Sequence, residues 1–444
     1  MFPETARAVR FLAVVSLLAA LTWAQQPQQP QMSSFERTRA LDILQVISSD
    51  VKKHYYDPKF HGLDWDQKTA ETKKQIEAAN SFNMSMSHIA ALLDALNDSH
   101  TFFLPPQHAY HHDFGFQYYM AGDHCFVTRV RPKSDADTKG VKPGDEILGI
   151  NGFAVNRDDL WKIQYAFSIL RPQPGLRLQL QDPSGAQRNV DVMAKIRETK
   201  RVTDLTSSGG SDIWDMVREG ETEEHLMRAR YFEVGDQLLV LKVPEFSFTM
   251  GEVDSMIGKA RKHANLIVDL RGNPGGAVDT LKYLLGGVFD KEVKIGDRKG
   301  RKDAKPEVAK PLHNSFSGKV VVLVDSKSAS AAELFSRIVQ LEKRGTVMGD
   351  RSSGSVMEAR DYEEHSGADT MIFFGASITE WDLIMADGKS LEHVGVTPDE
   401  IVLPTAQDLA SYRDPVLAHA AESLGVKLSA EDAGKAYPYE WPPQ

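Results

Sequence analysis

Strand-like and helical segments alternate along the second half of the chain, and this alternation constrains the fold more than any other feature. The segments DQLLVLKVPEF, NLIVDLR and KVVVLVD contain apolar runs typical of buried strands. Helical patterns follow them, in EVDSMIGKA, GGAVDTLKYLLGGVF and SAAELFSRIVQLEKR. Strands that alternate with helices predict an α/β sheet with crossover connections.

The first half of the chain shows two other patterns. From Ser34 to about Asn97 apolar residues recur at helical spacing, and the two prolines of LNDSHTFFLPP end this segment. From about His112 to Lys195 short strand-like runs such as HCFVTRV and RNVDVMA are separated by turn signals. We therefore predict a helical module followed by a β-rich module.

Composition narrows the classes of function. The 444 residues suffice for two or three domains, and the formal net charge of −10, without a basic cluster, argues against a nucleic-acid partner. Cys125 is the only cysteine, so no intramolecular disulfide can form. With one cysteine, no HExxH and no clustered His/Asp spacing, we expect neither a metal site nor a cofactor.

The N-terminus has the features of an export signal. Arg7 and Arg10 precede an apolar stretch of 13 residues, FLAVVSLLAALTW, and Thr22 and Ala24 are small residues at a plausible cleavage site. The stretch is shorter than the roughly 20 residues that span a bilayer. We predict a signal peptide and a periplasmic or extracellular location. The alternative is an uncleaved anchor, in which case the protein would associate with a membrane.

Ser330 lies where an apolar run gives way to a helical pattern, in VVVLVDSKSASAAELF. Ser330 and Glu333 fit the S-x-x-E capping box, in which each side chain binds the other residue's backbone N–H. The same position suits a nucleophile, because backbone N–H groups and the helix dipole would stabilise an oxyanion in front of it. Local sequence favours the capping role.

A second turn of the same kind strengthens the nucleophile interpretation. DLRGNPGG, from Asp269 to Gly276, also follows a buried strand and opens a helix. In a crossover α/β sheet such turns meet at one edge, where sites gather. Gly275 and Gly276 would let a backbone N–H approach a substrate closely. The alternative is a tight structural turn.

With these motifs in order, the chain resembles the tail-specific, or C-terminal-processing, serine peptidases of family S41. DLRGNPGG, VVLVDSKSASAAELFSRIVQ and LEHVGVTPD carry the resemblance, and PGDEILGINGFAV looks like the core of a PDZ domain. The resemblance implies a crotonase/ClpP-like α/β peptidase core with Ser330 as nucleophile. Gly276, or else Gly275, and Ala331 would supply the oxyanion hole. No cofactor is implied.

One position departs from the commonest branch of this family, which uses a lysine 25 residues after the serine. That position is Ser355 here. The branch that includes the tricorn core protease instead uses a histidine with a neighbouring serine and a C-terminal glutamate. By this resemblance His100 is the general base, oriented by Ser99 and Glu392. A histidine suits this role because its pKa lies near working pH.

Three other basic residues are weaker candidates for the base. They are Lys327, His365 and His393. Lys327 is only three residues before the nucleophile, and its side chain would have to fold back over the turn.

The resemblance also assigns a recognition module and a set of domains. Phe114, Gly115 and Phe116 resemble the loop whose N–H groups capture a peptide's terminal carboxylate, the peptide then adding as a strand to the sheet edge. The alternative is an ordinary hairpin. The predicted segments are a signal peptide (1–24), a linker (25–33), a helical module (34–104), a PDZ-like domain (105–198), a connector with one short helix (199–228), the peptidase core (229–404) and a C-terminal helix and tail (405–444).

Three hypotheses about function follow. The first is an exported serine endopeptidase that acts on unfolded or C-terminally presented polypeptides through an acyl-enzyme on Ser330. The second, motivated by Ser355, is a catalytically inactive homologue that binds peptides or serves as a scaffold in the periplasm. The third is a carrier of small apolar ligands on the same fold. Substrate preference and oligomeric state leave no mark in the sequence.

Overall fold

The computed structural model describes residues 32–106, 110–198, 228–302, 304–366 and 372–441. The predicted signal peptide, nearly all of the linker and nearly all of the connector with its short helix lie outside the described residues. Within the described ranges, no helix combines the length and the apolar character needed to cross a bilayer.

Three helices form the predicted helical module: α1 (Ser34–His54), α2 (Trp65–Ala78) and α3 (Phe82–Asp94). Ser33 begins α1 with a capping box to Glu36, which satisfies two N–H groups at the helix start. The buried faces of the helices share one apolar cluster. The members of that cluster from the helices include Ile43, Leu44, Ile47, Val51, Ile76, Ile89, Leu92 and Leu93.

A short strand ties the helical module to the rest of the protein. Strand β1 (Phe102–Leu104) follows α3 after a loop and pairs antiparallel with the long strand β18 (Ile372–Ile384), Phe103 opposite Ala376. Because both ends of the loop are held, by α3 and by the β1–β18 pairing, residues 95–101 have a fixed position beside the core.

The β-rich module is a six-stranded antiparallel sheet. Its strands run in the order β3–β4–β5–β7–β8, with β6 beside β5. Their bounds are β3 (Phe116–Ala121), β4 (His124–Val130), β5 (Glu146–Ile150), β6 (Phe153–Ala154), β7 (Gly175–Gln181) and β8 (Gln187–Met193). Among the described residues no strand pairs with the outer side of β3, which is therefore an open edge of the sheet.

Two helices and a ribbon complete this module. A short helix α4 (Asp135–Thr138) follows β4, and α5 (Leu160–Tyr165) continues as a π-helical turn (Ala166–Leu170). A two-stranded ribbon pairs β2 (Tyr110–Asp113) with β9 (Lys195–Glu198).

The core is the predicted α/β sheet, with strand order β10–β11–β12–β15–β16–β19. All pairs are parallel except β10 with β11. The bounds are β10 (Arg230–Val234), β11 (Leu238–Lys242), β12 (Asn265–Asp269), β15 (Lys319–Val324), β16 (Gly345–Gly349) and β19 (Glu400–Ile401). Three crossover helices connect these strands: α6 (Met250–Ala260), α7 (Val278–Val288) and α8 (Ala331–Leu341).

Both faces of this sheet are covered. Leu239 and Leu241 of β11 face the cluster that contains α6, α7 and α8, whereas the alternate residues Leu238 and Val240 face a second cluster. The second cluster is covered by C-terminal helices, in a segment predicted as one helix and a tail. They are α10 (Pro415–Ser423) and α11 (Ala430–Ala433). A shorter helix, α9 (Ala406–Ala410), precedes them and lies beside the β-rich module at Gly144.

A second, antiparallel sheet lies beside the core sheet. It runs β1–β18–β13–β14, with β17 also paired to β18. The remaining bounds are β13 (Val293–Gly300), β14 (Glu307–Ala309) and β17 (Met357–Ser366). Strand β18 thus joins the helical module, through β1, to the peptide segment that follows residue 355.

Candidate active site

Ser330 lies in the turn between β15 and α8, in a backbone conformation that serine rarely adopts. Its φ and ψ are 52° and −118°, and a non-glycine residue held there stores about 1–3 kcal/mol of strain. The Ser330 N–H donates to the carbonyl oxygen of Ser355 (2.8 Å) and to Oε2 of Glu333 (3.0 Å). These bonds hold the turn in its strained form.

The hydroxyl groups of the two serines in SAS have different surroundings. Ser328 is fully buried, and its hydroxyl donates to the Leu270 carbonyl oxygen and accepts the Asp325 N–H, both at 2.9 Å. Ser330 and Glu333 are placed as the predicted capping box, but the Ser330 hydroxyl makes no capping hydrogen bond within the described ranges. Glu333 accepts the Ser330 N–H as a capping box requires, while the Glu333 N–H donates to the Ser330 carbonyl oxygen (2.9 Å).

The glycine turn packs directly against Ser330. Gly275 has φ 111°, and a Cβ atom there would lie 2.6 Å from the Ser330 Cβ. The Asn273 side chain accepts the Gly275 N–H (2.8 Å), and the Asn273 carbonyl oxygen accepts the Ala329 N–H (2.9 Å). Asn273, which the sequence analysis did not single out, therefore joins the two turns.

Two backbone N–H groups near Ser330 have no hydrogen-bond acceptor among the described residues. They belong to Gly276 and Ala331. Gly276 has φ 129°, and a Cβ atom there would meet the Phe246 carbonyl oxygen at 2.5 Å, so only glycine fits. The Gly275 N–H, by contrast, is already bound by Asn273.

His100, Ser99 and Glu392 form one hydrogen-bonded chain. The Ser99 hydroxyl lies 2.8 Å from Nδ1 of His100 and donates to Oε2 of Glu392 at 2.8 Å. The Glu392 carboxylate also accepts the N–H groups of Ser99 (2.8 Å) and Val356 (2.9 Å). The structure thus brings together three residues that lie far apart in the sequence.

This chain fixes the tautomer of His100. The single hydroxyl proton of Ser99 goes to the carboxylate, which can only accept, so the Ser99 oxygen must accept from Nδ1 of His100. Nδ1 therefore carries the imidazole proton and Nε2 has a free lone pair, as a general base requires. Burial lowers the pKa of His100, against the opposing effect of the charges on Glu392 and Asp98, so the neutral form prevails at pH 7.

Asp98 holds the loop that carries His100, a role that the sequence analysis missed. Its Oδ1 accepts the N–H groups of His100 (2.8 Å) and Thr101 (2.9 Å) and the hydroxyl of Thr379 (2.7 Å). Thr379 lies on β18, so the loop is bound to the second sheet as well as to β1. An Asp two residues before a candidate base is a pattern that could have indicated this turn.

Ser355, at the position of the usual lysine, lies between the base and the nucleophile. Its hydroxyl is 3.4 Å from Nδ1 of His100, and its carbonyl oxygen accepts the Ser330 N–H. The hydroxyl is a second, longer partner for the imidazole, and the backbone of this residue supports the strained turn.

Glu333 binds the backbone on both sides of the site. It is fully buried, and it accepts hydrogen bonds from the N–H groups of Ser330, Gly354 and Ser355 and from the Ser352 hydroxyl. Burial raises the pKa of Glu333 to about 7, although the four donors favour the ionised form. In the sequence this residue is recognisable only as a capping partner of Ser330.

The weaker candidates for the base have other surroundings. Lys327 is exposed overall, although the protein atoms packed around its ammonium group lower its pKa, against the opposing effect of Asp325. His393 is bound through Nε2 to the Asn97 carbonyl oxygen (2.8 Å). His365 lies on β17, with its ring 6.2 Å from that of Phe373.

The predicted peptide-binding loop lies at the start of β3. Phe114 and Phe116 line a groove of about 290 Å³ between β3 and α5, together with residues such as Ile150, Ile163 and Phe167. The Gly115 N–H donates to Oδ1 of Asp113 (2.8 Å).

Comparison with known proteins agrees with these motifs. Residues 237–402 match the model of peptidase family S41, and residues 106–162 match that of the PDZ domain. The carboxy-terminal processing protease CtpA of Bacillus subtilis is 23% identical over 272 residues, covering 60% of this chain and 50% of the relative. The tail-specific protease of Haemophilus influenzae is 23% identical over 336 residues, covering 71% and 45%. The chain spans about half the length of these two curated relatives.

One solved structure shows the same fold over most of the chain. Mature CPAF superposes with a TM-score of 0.63 at 15% sequence identity, covering 85% of this chain and 95% of that protein. A mixed α/β fold with N-terminal helices, a PDZ domain and a peptidase-type core is therefore confirmed.

Proposed function

We propose that the chain is an active serine endopeptidase of family S41, with Ser330 as nucleophile and His100 as general base. The observation that carries this proposal is the chain of hydrogen bonds from Glu392 through Ser99 to His100, which fixes the base in the tautomer that accepts a proton at Nε2. The substrates we propose are polypeptides, unfolded or presented by their C-termini.

The proposed reaction begins with attack by the Ser330 hydroxyl oxygen on the scissile carbonyl carbon. Nε2 of His100 takes the hydroxyl proton, and the imidazolium that forms keeps its Nδ1–H on the Ser99 oxygen, beside the negative charge of Glu392. The tetrahedral oxyanion lies against the N–H groups of Gly276 and Ala331, which have no other acceptor among the described residues.

The second half of the reaction reverses these roles. Collapse of the tetrahedral intermediate breaks the C–N bond, and the leaving amine takes the proton from Nε2 of His100. An acyl-enzyme on Ser330 remains, and a water molecule activated by His100 hydrolyses it. The geometry favours Gly276 over Gly275 as the oxyanion donor, because Asn273 already accepts the Gly275 N–H.

The strained turn supports the same assignment. A nucleophile exposed on a strained strand-to-helix turn is the arrangement seen in other serine hydrolases. Ser330 has this conformation, its hydroxyl is free of helix capping, and Ser328 takes the structural hydrogen bonds instead.

The test is cleavage of an unfolded casein-type substrate by the parent chain, by Ser330→Ala and by His100→Ala. We expect both variants to lose at least about 10⁴-fold in kcat, since removing a nucleophile or its base costs roughly that much or more. Cleavage by Ser330→Ala at the parent rate would refute the proposal.

A specific observation supports one alternative. Among the described residues, no hydrogen bond joins the Ser330 hydroxyl to His100, and Ser355 replaces the lysine of the commoner branch. A catalytically inactive peptide-binding protein would fit both facts. In the active enzyme the imidazole and the hydroxyl come within hydrogen-bond distance when substrate is bound, as catalytic groups in other enzymes do.

We also propose that the protein is exported, on the basis of the N-terminal apolar stretch. If this is correct, the N-terminal sequence of the mature protein, purified from the compartment where it accumulates, begins at Gln25. A mature protein that retains Phe11 to Trp23 would instead support a membrane anchor.

A further inference from the structure

The open edge of β3 provides a place where an extended peptide can add to the sheet. The Arg131 N–H donates to the Gly115 carbonyl oxygen (2.7 Å), and Phe116 lies opposite Val130. In an antiparallel pair this makes Phe116 a non-hydrogen-bonded position, so its N–H points to the open edge. Apolar residues of α5 and β5 line the groove beside it.

Asp113 places a carboxylate at the start of this edge. Its Oδ1 accepts the Gly115 N–H (2.8 Å), and its Oδ2 lies 3.1 Å from the Arg131 guanidinium, with both side chains largely buried. The Asp113 carboxylate therefore already binds the Gly115 N–H, the middle N–H of the loop at 114–116. The same carboxylate also forms an ion pair with Arg131.

We propose that the groove binds internal, extended segments of the substrate polypeptide, and that Asp113 makes it discriminate against a free C-terminal carboxylate. A terminal carboxylate in this loop would compete with Asp113 for the Gly115 N–H and would meet a like charge at short range in a partly buried site. A segment that continues through the groove brings no such charge, so of the two proposed substrate classes the groove favours unfolded polypeptides over those presented by their C-termini. Such a segment can place apolar side chains in the groove and pair its backbone with β3.

The far end of β3 lies at the nucleophile turn. The Ser326 hydroxyl donates to the Met120 carbonyl oxygen (2.6 Å), and Ser326 is four residues before Ser330. At about 3.5 Å per residue those four residues span at most about 14 Å, and the six residues of β3 span about 20 Å. An extended segment of about ten residues would thus reach from the loop to Ser330.

This end of the module is fastened to the core. Arg157 donates to the Gly122 carbonyl oxygen (2.7 Å) and to the Asp350 carboxylate (2.5 Å), which also accepts the Gly122 N–H (2.9 Å). A segment held along β3 is therefore directed toward the site. Because the groove would be the substrate-binding part of the proposed peptidase, this proposal rests on the proposed function. Its test requires no cleavage.

The experiment measures peptide binding to the full chain carrying Ser330→Ala by fluorescence anisotropy. The probes are labelled 12-residue peptides in which valine alternates with serine, with either a free or an amidated C-terminus, and a 24-residue peptide with the same segment in its middle. We expect the amidated and the internal forms to bind at least about tenfold more tightly than the free acid.

Two further variants test the role of the Asp113 charge. Asp113→Asn keeps an oxygen for the Gly115 N–H but removes the charge, so the difference between acid and amide should fall below about threefold. Asp182→Asn is the matched control, because Asp182 makes the same kind of turn with the Ser184 N–H (2.8 Å) elsewhere in the module. It should leave the difference unchanged.

Ser168→Trp, at an exposed position on the rim of the groove, should weaken all three peptides at least tenfold. The proposal is overturned if no peptide binds, or if the free acid binds as tightly as the amide or more tightly. It is also overturned if Asp113→Asn leaves the difference in affinity between acid and amide unchanged, or if Ser168→Trp does not weaken peptide binding. Should Asp113→Asn fail to fold, the acid–amide comparison on the Ser330→Ala chain still decides. If the parent chain does not cleave polypeptides, the proposed function is refuted, but these binding results still stand.

Discussion

Replacing Ser99 by alanine tests the hydrogen-bonded chain that prepares the base. The substitution removes one hydroxyl, which links Nδ1 of His100 to the Glu392 carboxylate with two distances of 2.8 Å. It leaves Glu392 bound by the N–H groups of Ser99 and Val356, so the surrounding loops keep their contacts. The change is therefore confined to the orientation of the imidazole and the stabilisation of its charge.

The expected size of the effect follows from the charge that develops in the reaction. In the transition state His100 becomes an imidazolium, and a hydrogen bond to a charged group contributes about 1.5–3 kcal/mol. Each 1.36 kcal/mol corresponds to a tenfold change in rate. Ser99→Ala should therefore lower kcat by about 10- to 150-fold with little change in KM, because the hydroxyl is bound to His100 and Glu392.

The assay is steady-state cleavage of an unfolded fluorogenic polypeptide, with kcat and KM measured separately. Ser87→Ala is the matched control, since the Ser87 hydroxyl is likewise bound but lies on α3, where it donates to the Asn83 carbonyl oxygen. The Ser355 hydroxyl, 3.4 Å from Nδ1, can replace part of the lost contact, so Ser99→Ala combined with Ser355→Ala should cost more than the sum of the single changes. A kcat within twofold of the parent, or a rise in KM alone, would refute the reasoning.

Three further predictions concern the same site. Burial lowers the pKa of His100 below its ordinary value of 6.5, and protonation of Nε2 removes the base. The value of kcat should therefore fall as the pH falls, with a midpoint below pH 6.5. A pH–rate profile with its acidic midpoint above pH 6.5 would contradict this assignment. Gly275→Ala should lower both Tm and kcat, because the new Cβ would lie 2.6 Å from the Cβ of Ser330. Gly185→Ala is the control: Gly185 also has a positive φ but has open space around it, so this change shows the cost of the φ angle alone, about 1–2 kcal/mol. Equal losses of Tm in the two variants would exclude the clash. Ser355→Lys places a cation beside the imidazole that must become charged, so kcat should fall at least tenfold. An unchanged kcat would contradict this, and would mean that the side chain does not face His100 or that the lysine itself serves as the base, as in the commoner branch.

The sequence predicts the elements with strong periodicity well. The buried strands β11, β12 and β15 and the helices after them lie where the apolar runs and helical patterns place them, because both faces of this sheet are covered and the pattern is strong. The three helices of the first module follow for the same reason.

Pairings between distant segments were not predictable from local pattern. Strand β1 has only three residues and pairs with β18 more than 270 residues later, and the β2–β9 ribbon joins segments on either side of the β-rich module. Neither pairing leaves a periodic signal, since its stability comes from the partner strand. The position of the His100 loop depends on the first of these pairings.

The candidate site was predictable only in part. Local sequence predicted the capping box of Ser330 with Glu333, which the structure forms, but not the positive φ of Ser330, whose N–H is bound by the Ser355 carbonyl oxygen and by Glu333. The assignment of His100, Ser99 and Glu392 came from family resemblance. Asp98 and Asn273 were missed, because their role is to bind backbone groups of loops whose proximity exists only in the fold.

The most direct test of the central claim is covalent labelling of Ser330 by a fluorophosphonate probe, followed by mass spectrometry of the intact chain and its peptides. The proposed site predicts a single adduct on Ser330, absent in Ser330→Ala and formed at least about 100-fold more slowly in His100→Ala, since the probe requires a serine activated by its base. No adduct on the parent chain, or labelling of Ser330 at the same rate without His100, would contradict the claim.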